Sequence, residues 1–450
     1  MTTTQGTDFI IESVLYSSNK LNKSLKGVEL KQITTDIDIY EDLNKPYITA
    51  NIVILDDSSF ISSANIMGGE KITIEIRSVR KNSKLISKTF FINKILNQSR
   101  ASDNAQVVIL HLIEDCVFIS NLHNLCRYYS DNPSEIIKKI TNEFLNKDIA
   151  YDKNETQKIN VIIPNLNPLQ ACKWIKNKMT TVDGYPYFFY STLVGKKFGL
   201  KDLATLINER PINNESYVWS QMATQSLHPG IARRSIKTYH VEKSHNLTSL
   251  IKNGLIGAKY SFINTLSDVN TKTSFDFDIV KDVLEPSIKY GIFPRHQNNP
   301  SFTPEYKHDN KSYNNYQSRH IVPLGGSNPY RVTHLPDDPD EMPQYPLTIS
   351  EAYDEANYKQ FVIAKSLLHL LQKAPINIVV SALDFIDGDK HSTIGNQIRC
   401  LFKKSNPSSG TEEKDTKLSG EYIIFRTRHI IKPQSYNISL NMVKLGDRKV

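Results

Sequence analysis

Two short stretches of this sequence decide its fold, Asn51-Ile52-Val53-Ile54 and Asn377-Ile378-Val379-Val380. When the second is laid over the first without a gap, a glycine and a run of alternating apolar residues also coincide. Such alternation is typical of one face of a β-strand. The coinciding residues are Gly69 with Gly395, Ile72 with Ile398, Ile74 with Cys400, and Ile76 with Phe402. We predict one piece of β-structure present twice, over residues 48–114 and 376–445. Chance is the alternative, because the chain is rich in Asn, Ile and Lys.

Each predicted copy continues with a loop and two further strands. The loops cover residues 78–87 and 404–419, and the strands after them cover 89–96 and 421–431. The last strands cover 106–114 and 436–444. In the second copy Ile438, Leu440 and Met442 alternate with polar residues, which predicts a strand with one buried and one solvated face.

Length and composition describe a multidomain protein with an ordinary hydrophobic content. At 450 residues the chain exceeds the size of a single core, so two to four domains are expected. Hydrophobic residues make up 39% and charged residues 23%, which excludes a disordered chain. The net charge of +8 is spread thinly. Short basic segments such as Lys196-Lys197 therefore indicate a solvated face more than a nucleic-acid footprint.

Cysteine usage and the chain start bear on the compartment. Four cysteines in so long a chain do not form a disulfide framework and indicate a reducing compartment. Residues 1–7 have neither the basic nor the apolar region of a signal peptide. The most apolar run, residues 361–371, is too short and too polar to span a bilayer, so no stable membrane insertion is expected.

A helical unit separates the two copies. Asn132-Pro133-Ser134-Glu135 and Asn167-Pro168-Leu169-Gln170 both have the composition of a helix start, with an N-cap and a proline in the first turn. An aromatic strand at residues 185–192, a turn at Gly195 and a return strand at Phe198 follow, and residues 200–207 are predicted to form a short helix. Thr348-Ile349-Ser350-Glu351 predicts a capping box for a helix ending near Lys373.

Catalytic and metal-binding motifs are sparse. His123 and Cys126 with Cys116 could supply three zinc ligands, but the apolar setting and the missing fourth ligand favour buried thiols. The turn containing Asp384, Asp387 and Asp389 and the acidic run at 337–341 lack the spacing of a calcium loop. Glu41 and Asp42 are adjacent in sequence, so in a strand they would point to opposite faces and form a poor acid/base pair. We therefore expect no catalytic, cofactor-binding or metal-binding residue.

Three stretches, taken in order, carry a resemblance to a known family. Residues 37–56 with Gly68-Gly69-Glu70-Lys71-Ile72 come first, residues 167–171 and 187–203 form the second, and residues 394–398, 419–429 and 436–442 form the third. In this order they resemble the baseplate central hub protein of contractile-tailed, T-even-like bacteriophages. The last stretch is also similar to the secretion-system spike relatives of that family.

The resemblance implies an α+β, mainly β chain with two similar tube-like β-barrel domains and inserted domains. The expected domains are 1–120 (first barrel), 121–210 (inserted α+β domain), 211–292 (a second, mostly β insertion that could add strands to the second barrel), 293–346 (an arm or docking loop rich in Pro, Asn and Tyr) and 347–450 (a helix and the second barrel).

The resemblance also implies a function without catalysis. Three chains with two similar domains each would form a pseudo-sixfold ring that joins a threefold spike to a sixfold tail tube. The implied partners are two further copies of the chain, the tail spike below, the tube or tube-initiator protein above, baseplate wedge proteins, and the tape-measure protein and DNA in the channel. The implied location is the virion tail baseplate, after assembly in the host cytoplasm.

Two alternatives from other classes stay open. The first is a spike-type protein of a contractile injection system with a lytic or puncturing role. The second is a carbohydrate-binding or receptor-binding tail protein, suggested by 22 tyrosines and the aromatic strand near residue 187. Aromatic residues in strands more often fill a core, which disfavours the second alternative.

Overall fold

Strands make up most of the regular structure of this chain. The computed structural model describes residues 9–18, 27–57, 60–79, 85–102, 105–152, 158–209, 211–212, 215–219, 234–242, 247–261, 274–277, 282–283, 307–312, 315–316, 319–322, 358–371, 375–386, 393–405 and 412–446. Most of the predicted arm at 293–346, the capping box at 348–351, the acidic run at 337–341, and Asp387 and Asp389 lie outside these residues.

The strands, in chain order, are β1 (Phe9–Ser17), β2 (Val28–Glu29), β3 (Thr34–Asp42), β4 (Thr49–Asp56), β5 (Lys71–Ser78), β6 (Ile86–Arg100), β7 (Gln106–Glu114), β8 (Tyr128–Asp131), β9 (Ile149–Tyr151), β10 (Ile159–Ile162), β11 (Tyr187–Tyr190), β12 (Phe198–Asp202), β13 (Tyr217–Trp219), β14 (Thr238–Val241), β15 (Ala258–Ser261), β16 (Ser274–Phe277), β17 (Lys307–His308), β18 (Lys311–Ser312), β19 (Arg319–Ile321), β20 (Ile376–Ser381), β21 (Gln397–Ser405), β22 (Glu412–Lys414), β23 (Gly420–Lys432) and β24 (Ser435–Gly446).

Short helices connect these strands. They are α1 (Phe60–Ala64), α2 (Asp115–Ser120), α3 (Pro133–Leu145), α4 (Pro168–Lys176), α5 (Leu203–Asn208), α6 (Leu247–Lys252), α7 (Tyr358–Leu371) and α8 (Leu383–Ile386). None of the helices in the described ranges is long and apolar enough to cross a membrane.

The predicted duplication is confirmed by strand order. In the first copy β4 pairs with β7, β7 with β6, and β6 with β5, all antiparallel. In the second copy β20 pairs with β24, β24 with β23, and β23 with β21 in the same way. The two four-stranded units therefore share one topology, which a chance match of a few letters does not predict.

The aligned glycines make the same hydrogen bonds in both copies. The Gly69 N–H donates to the Ile92 carbonyl at 2.9 Å, and the Gly395 N–H donates to the Ile424 carbonyl at 2.8 Å. Their φ angles, +85° and +79°, lie in the region that only glycine adopts without strain. The strand register also shifts directly after Ile92 and directly after Ile424. A β-bulge at the same place in each copy is a designed feature of the unit.

One continuous 14-stranded sheet contains both copies. Its main path runs β14-β20-β24-β23-β3-β4-β7-β6-β5-β1-β2, and β13 and β22 branch from β21. The two copies meet where β23 of the second pairs with β3 of the first. The path is open in the described part of the chain, so closure of each copy into a barrel remains a prediction, as do the domain limits.

Two hydrophobic cores occur in the described part of the chain. The first contains the apolar faces of both copies, from Phe9 to Val443. The second lies mostly within the predicted α+β insertion at 121–210 and also includes Cys116, just before it. All four aromatic residues of β11 are buried. This confirms that the aromatic strand fills core, and it removes the sequence argument for a carbohydrate site there.

Both predicted helix starts of the insertion are confirmed. Helix α3 begins after Asn132 with Pro133 in its first turn. Helix α4 begins with a capping box in which the Asn167 side chain accepts from the Gln170 N–H. Strand β6 is longer than predicted. It extends to Arg100 because its last residues continue to pair with β7.

Candidate functional site

The pairing of β3 with β23, called the joint below, connects the two copies. Its outer face carries opposite charges, with basic residues on β23 and acidic residues on β3. The Arg428 guanidinium donates two hydrogen bonds to the Asp38 carboxylate, at 3.1 and 2.8 Å. Two further ion pairs follow the same strands, Arg426 with Asp42 at 3.1 Å and Lys432 with Asp36 at 2.9 Å.

The inner face of the joint contains a buried carboxylate. Glu41 accepts hydrogen bonds from the Thr427 hydroxyl at 2.7 Å and from the Leu193 backbone N–H at 2.6 Å. It also contacts the Thr393 hydroxyl and lies 3.0 Å from His429 Nε2. Glu41 itself lies on β3, and its partners come from the second copy and from the insertion, so this one side chain connects three parts of the chain.

The network around Glu41 is satisfied with an ionised carboxylate. Burial alone would raise the pKa of Glu41, but hydrogen bonding and the charge of His429, with the Thr393 and Thr427 hydroxyls, hold that pKa below its ordinary value. The Tyr436 hydroxyl lies 2.8 Å from His429 Nδ1. Nε2 of His429 faces Glu41 and Nδ1 faces the Tyr436 hydroxyl, so the imidazole ring connects these two groups. Burial and the nearby Glu41 charge raise the pKa of Tyr436, which keeps it a donor.

A second buried carboxylate attaches the insertion to the first copy. Glu114 at the end of β7 accepts from Lys88 Nζ and from Lys147 Nζ, both at 2.7 Å, and from the Ile48 N–H at 3.0 Å. The Ser191 hydroxyl lies 3.3 Å from the same carboxylate. Burial would raise the pKa of Glu114, but the two ammonium groups outweigh it and the pKa is lowered.

Residues 191–193 of the insertion thus lie between two buried acids. Glu114 binds Ser191, and Glu41 binds the backbone of Leu193. On the side of the second copy, Gln397 Nε2 donates to the Leu206 carbonyl at 2.9 Å and to the Glu209 carbonyl at 3.1 Å. These are carbonyls at the end of α5, where a helix leaves acceptors unpaired. The insertion is therefore fixed to both copies by hydrogen bonds as well as by packing.

Two strand edges next to the copies are exposed. All residues from 93 to 100 of β6 are exposed, and within the described ranges this part of β6 pairs only with β7. Strand β14 pairs with β20 on one side, and Thr238, Tyr239 and His240 are exposed. Exposed strand edges present unpaired N–H and C=O groups that accept another strand.

The sequence candidates for chemistry do not come together. Cys116 is buried as predicted, but Cys126 is exposed, so the prediction of a buried thiol is wrong there. Leu125 bridges to Leu166 and is buried, and the next side chain in an extended segment points to the opposite side. Asp384 lies near the Tyr217 hydroxyl at 3.2 Å and Arg234 Nε at 3.3 Å, which is a structural contact.

One cluster of potential metal ligands occurs in the described part of the chain, namely Glu114, Asp115 and Cys116. It does not include His123 or Cys126. Two lysines already neutralise Glu114, and burial raises the pKa of the Cys116 thiol. The cluster therefore suits a salt bridge better than a cation.

From the sequence, Glu41 was considered only as half of an acid pair whose members point to opposite faces of a strand. A signal was present, because Glu41 follows Ile37 and Ile39 at a spacing of two and so lies on the buried face of its strand. An acid on an apolar face needs partners from elsewhere in the chain. Those partners, at residues 193, 393, 427 and 429, are too far along the sequence to be identified from it.

The architecture defines a class of protein, a mainly β chain in which a four-stranded unit occurs twice and an α+β unit is inserted between the copies. No family model matches the chain, and no curated protein matches it. Solved structures do. The 43 kDa tail protein of prophage MuSo2 from Shewanella oneidensis is 9% identical, with a TM-score of 0.50, over 96% of this chain and 98% of that one.

Two further solved structures are similar over most of the chain. A tail protein from Neisseria meningitidis MC58 is 11% identical, with a TM-score of 0.49, and 96% of each chain is covered. The E. coli c3393 protein, a component of the type VI secretion system, is 7% identical, with a TM-score of 0.41, over 93% of this chain and 76% of that one. The MuSo2 match shows that this chain has the fold of a phage tail protein, as the sequence resemblance predicted.

Proposed function

We propose that this chain is the structural hub of a phage tail baseplate. Three copies form a ring of six similar units, and the ring adapts a threefold spike to a sixfold tail tube. The role is structural, without catalysis. The ring lines the channel through which the tape-measure protein and then DNA pass, and its location is the virion tail baseplate.

The observation that carries this proposal is the repeated unit with its joint. Two units of one topology are joined edge to edge by β23 and β3, so each chain supplies two of the positions that a six-membered ring requires. Three chains then give exact threefold and approximate sixfold symmetry. A tail fold over almost the whole chain supports the same conclusion.

The proposed partners follow from the two symmetries. The face with approximate sixfold symmetry fits the tube or the tube-initiator protein, and the face where the copies differ fits the spike. We assign contacts with wedge proteins to the insertion and to residues 293–346. The insertion suits such a contact because hydrogen bonds that it donates to Glu41 and Glu114 fix its position on the sheet.

The mass of the purified chain in solution tests the proposal. Light scattering or native mass spectrometry is expected to give about three times the 51.3 kDa of one chain, and class averages of the particle are expected to show a ring with six similar lobes. A closed dimer or tetramer contradicts the proposal. A chain that remains monomeric up to the highest soluble concentration also counts against it.

A further inference from the structure

The joint within the chain is a template for a contact between chains. In the first copy β6 extends beyond its neighbour β5, and in the second copy β23 extends beyond its neighbour β21. Each extension has a second edge that can pair with a further strand. In the second copy that edge pairs with β3. In the first copy the matching edge of β6 has no partner strand among the described residues. Strand β14 pairs with β20 just as β3 pairs with β4, so β14 matches β3.

Strand registers assign the matching residues. Gln98 lies opposite Val108 and His429 opposite Ile438, on strands that pair with Ile54 and Val380 respectively. By the same comparison Tyr239 and Val241 take the places of Ile37 and Ile39. The matching pairs are therefore Gln98 with His429, Arg100 with Ile431, Tyr239 with Ile37, and Val241 with Ile39.

The backbone groups on both edges point in the required direction. Antiparallel strands alternate between residues that bond to one neighbour and residues that bond to the other. The Ala101 N–H donates to the Ala105 carbonyl, so Gln98 and Arg100 direct their backbone groups away from β7. The Glu242 N–H donates to the Pro375 carbonyl, so Tyr239 and Val241 direct theirs away from β20.

In the joint, which serves as the template, the residues that match these four also bond to each other across the two strands. The Leu43 N–H donates to the Phe425 carbonyl. Alternation along this register makes His429 bond to Ile39, and Ile431 to Ile37. A slip by one residue on either edge would present backbone groups already used within the chain, so the parities exclude it. The register itself is the one that equivalence to the joint assigns, and both parities agree with it.

We propose that residues 97–100 of β6 pair antiparallel with residues 239–242 of the next copy of this chain. In this register Gln98 lies opposite Val241 and Arg100 opposite Tyr239. This inference rests on the proposed ring. Three of the six contacts between units in that ring are joints within a chain, and the β6–β14 contact forms the three contacts between chains. It is a head-to-tail contact, so it propagates until the ring closes.

Paired cysteines test the register. Ser99 and His240 are exposed, and the proposed register places them directly opposite in a non-hydrogen-bonded pair, at a Cα separation of about 4.5 Å. That separation lies within the range of a disulfide. Ser99→Cys with His240→Cys is therefore introduced into a Cys126→Ser background, because Cys126 is the exposed native thiol and the other three are buried.

The matched control is Ser99→Cys with Glu242→Cys in the same background. It moves one thiol two residues along the strand, to a diagonal separation of about 7–8 Å, which is too far for an unstrained disulfide. Under mild oxidation the Ser99/His240 pair is expected to give covalently linked species up to three chains, at least tenfold faster than the control pair, and a reducing agent is expected to reverse them.

The outcomes separate this contact from the proposed function. If native mass spectrometry shows a trimer and the Ser99/His240 pair links no faster than the control, the β6–β14 contact is wrong and the hub proposal stands. If the control pair links faster, the register is wrong. If neither pair links and the chain stays monomeric at every concentration, both the contact and the ring are overturned.

Discussion

The joint inside the chain and its matching edges on β6 and β14 share a geometry but differ in chemistry. The joint places Arg426, Arg428 and Lys432 against aspartates and buries Glu41 beneath them. In the proposed register the edge of β6 carries one charged residue, Arg100, and the edge of β14 carries one, Glu242. A contact that forms once during folding can contain a buried charge, because its partners never separate again. A contact between chains forms between solvated edges, so desolvating a charge there would slow or weaken assembly.

The largest expected effect comes from removing the buried acid of the joint. Glu41→Ala leaves the Thr427 hydroxyl, the Leu193 N–H and His429 without their shared acceptor. Truncating one partner of a buried charged network costs about 3–5 kcal/mol. We expect the free energy of unfolding in urea to fall by that amount. Asp38→Ala on the same strand is the control and is expected to cost less than about 1 kcal/mol. Equal effects would mean that Glu41 is not the centre of the joint.

Acid should weaken the joint and the insertion together. The pKa values of Glu41 and Glu114 are both lowered from 4.5 in the folded chain. The stability from these groups is therefore present above pH 4.5 and is lost as the pH falls through the lower folded-state pKa. We expect urea midpoints to drop more steeply below pH 4.5 in the native chain than in the Glu41→Gln, Glu114→Gln double variant. Parallel curves would contradict this.

The outer charges of the joint should matter little. Arg428 and Asp38 are partly exposed, and ion pairs of this kind contribute about 0–1 kcal/mol. We expect Arg428→Ala to lower the free energy of unfolding by an amount in that range. Because salt screens exposed charges, the difference in stability between the variant and the native chain is expected to shrink as salt rises from about 0.05 M to about 0.5 M. A loss above about 2 kcal/mol would contradict this, because it exceeds what partly exposed ion pairs contribute.

The smallest change in the stability of the single chain is expected for a variant that prevents assembly. The Gln98 N–H points away from β7, so Gln98→Pro removes a donor that folding does not use, and proline is tolerated on such edges. We expect a stability within about 1 kcal/mol of the native chain, but a particle mass of one chain. Ser99→Pro is the matched control. It removes a bond to β7 and should lower stability. A Gln98→Pro chain that remains a trimer would exclude this edge from the ring contact.

Local pattern predicted the repeated unit but not how its copies are joined. The alignment of Gly69 with Gly395 follows from a left-handed turn that needs glycine. The alternation of apolar and polar residues predicted the strands. The β3–β23 pairing joins residues near 40 to residues near 428, and nothing local encodes that choice. Strands β13 and β14 lie in the predicted second insertion, which was expected to be able to add strands to the second barrel. They pair with β21 and β20 of the second copy, but the sequence did not indicate which strands they would join. Partner selection in a sheet depends on edges that become available only after the rest has folded.

The attachment of residues 191–193 has a stoichiometric consequence. Each chain has two similar units but one α+β insertion, which hydrogen bonds to Glu41 and Glu114 and from Gln397 fix to both units. In a ring of three chains, a protein that binds the repeated sheet would find six equivalent positions. A protein that binds the insertion would find three. One polypeptide can therefore hold neighbours present in two different copy numbers without a second type of subunit.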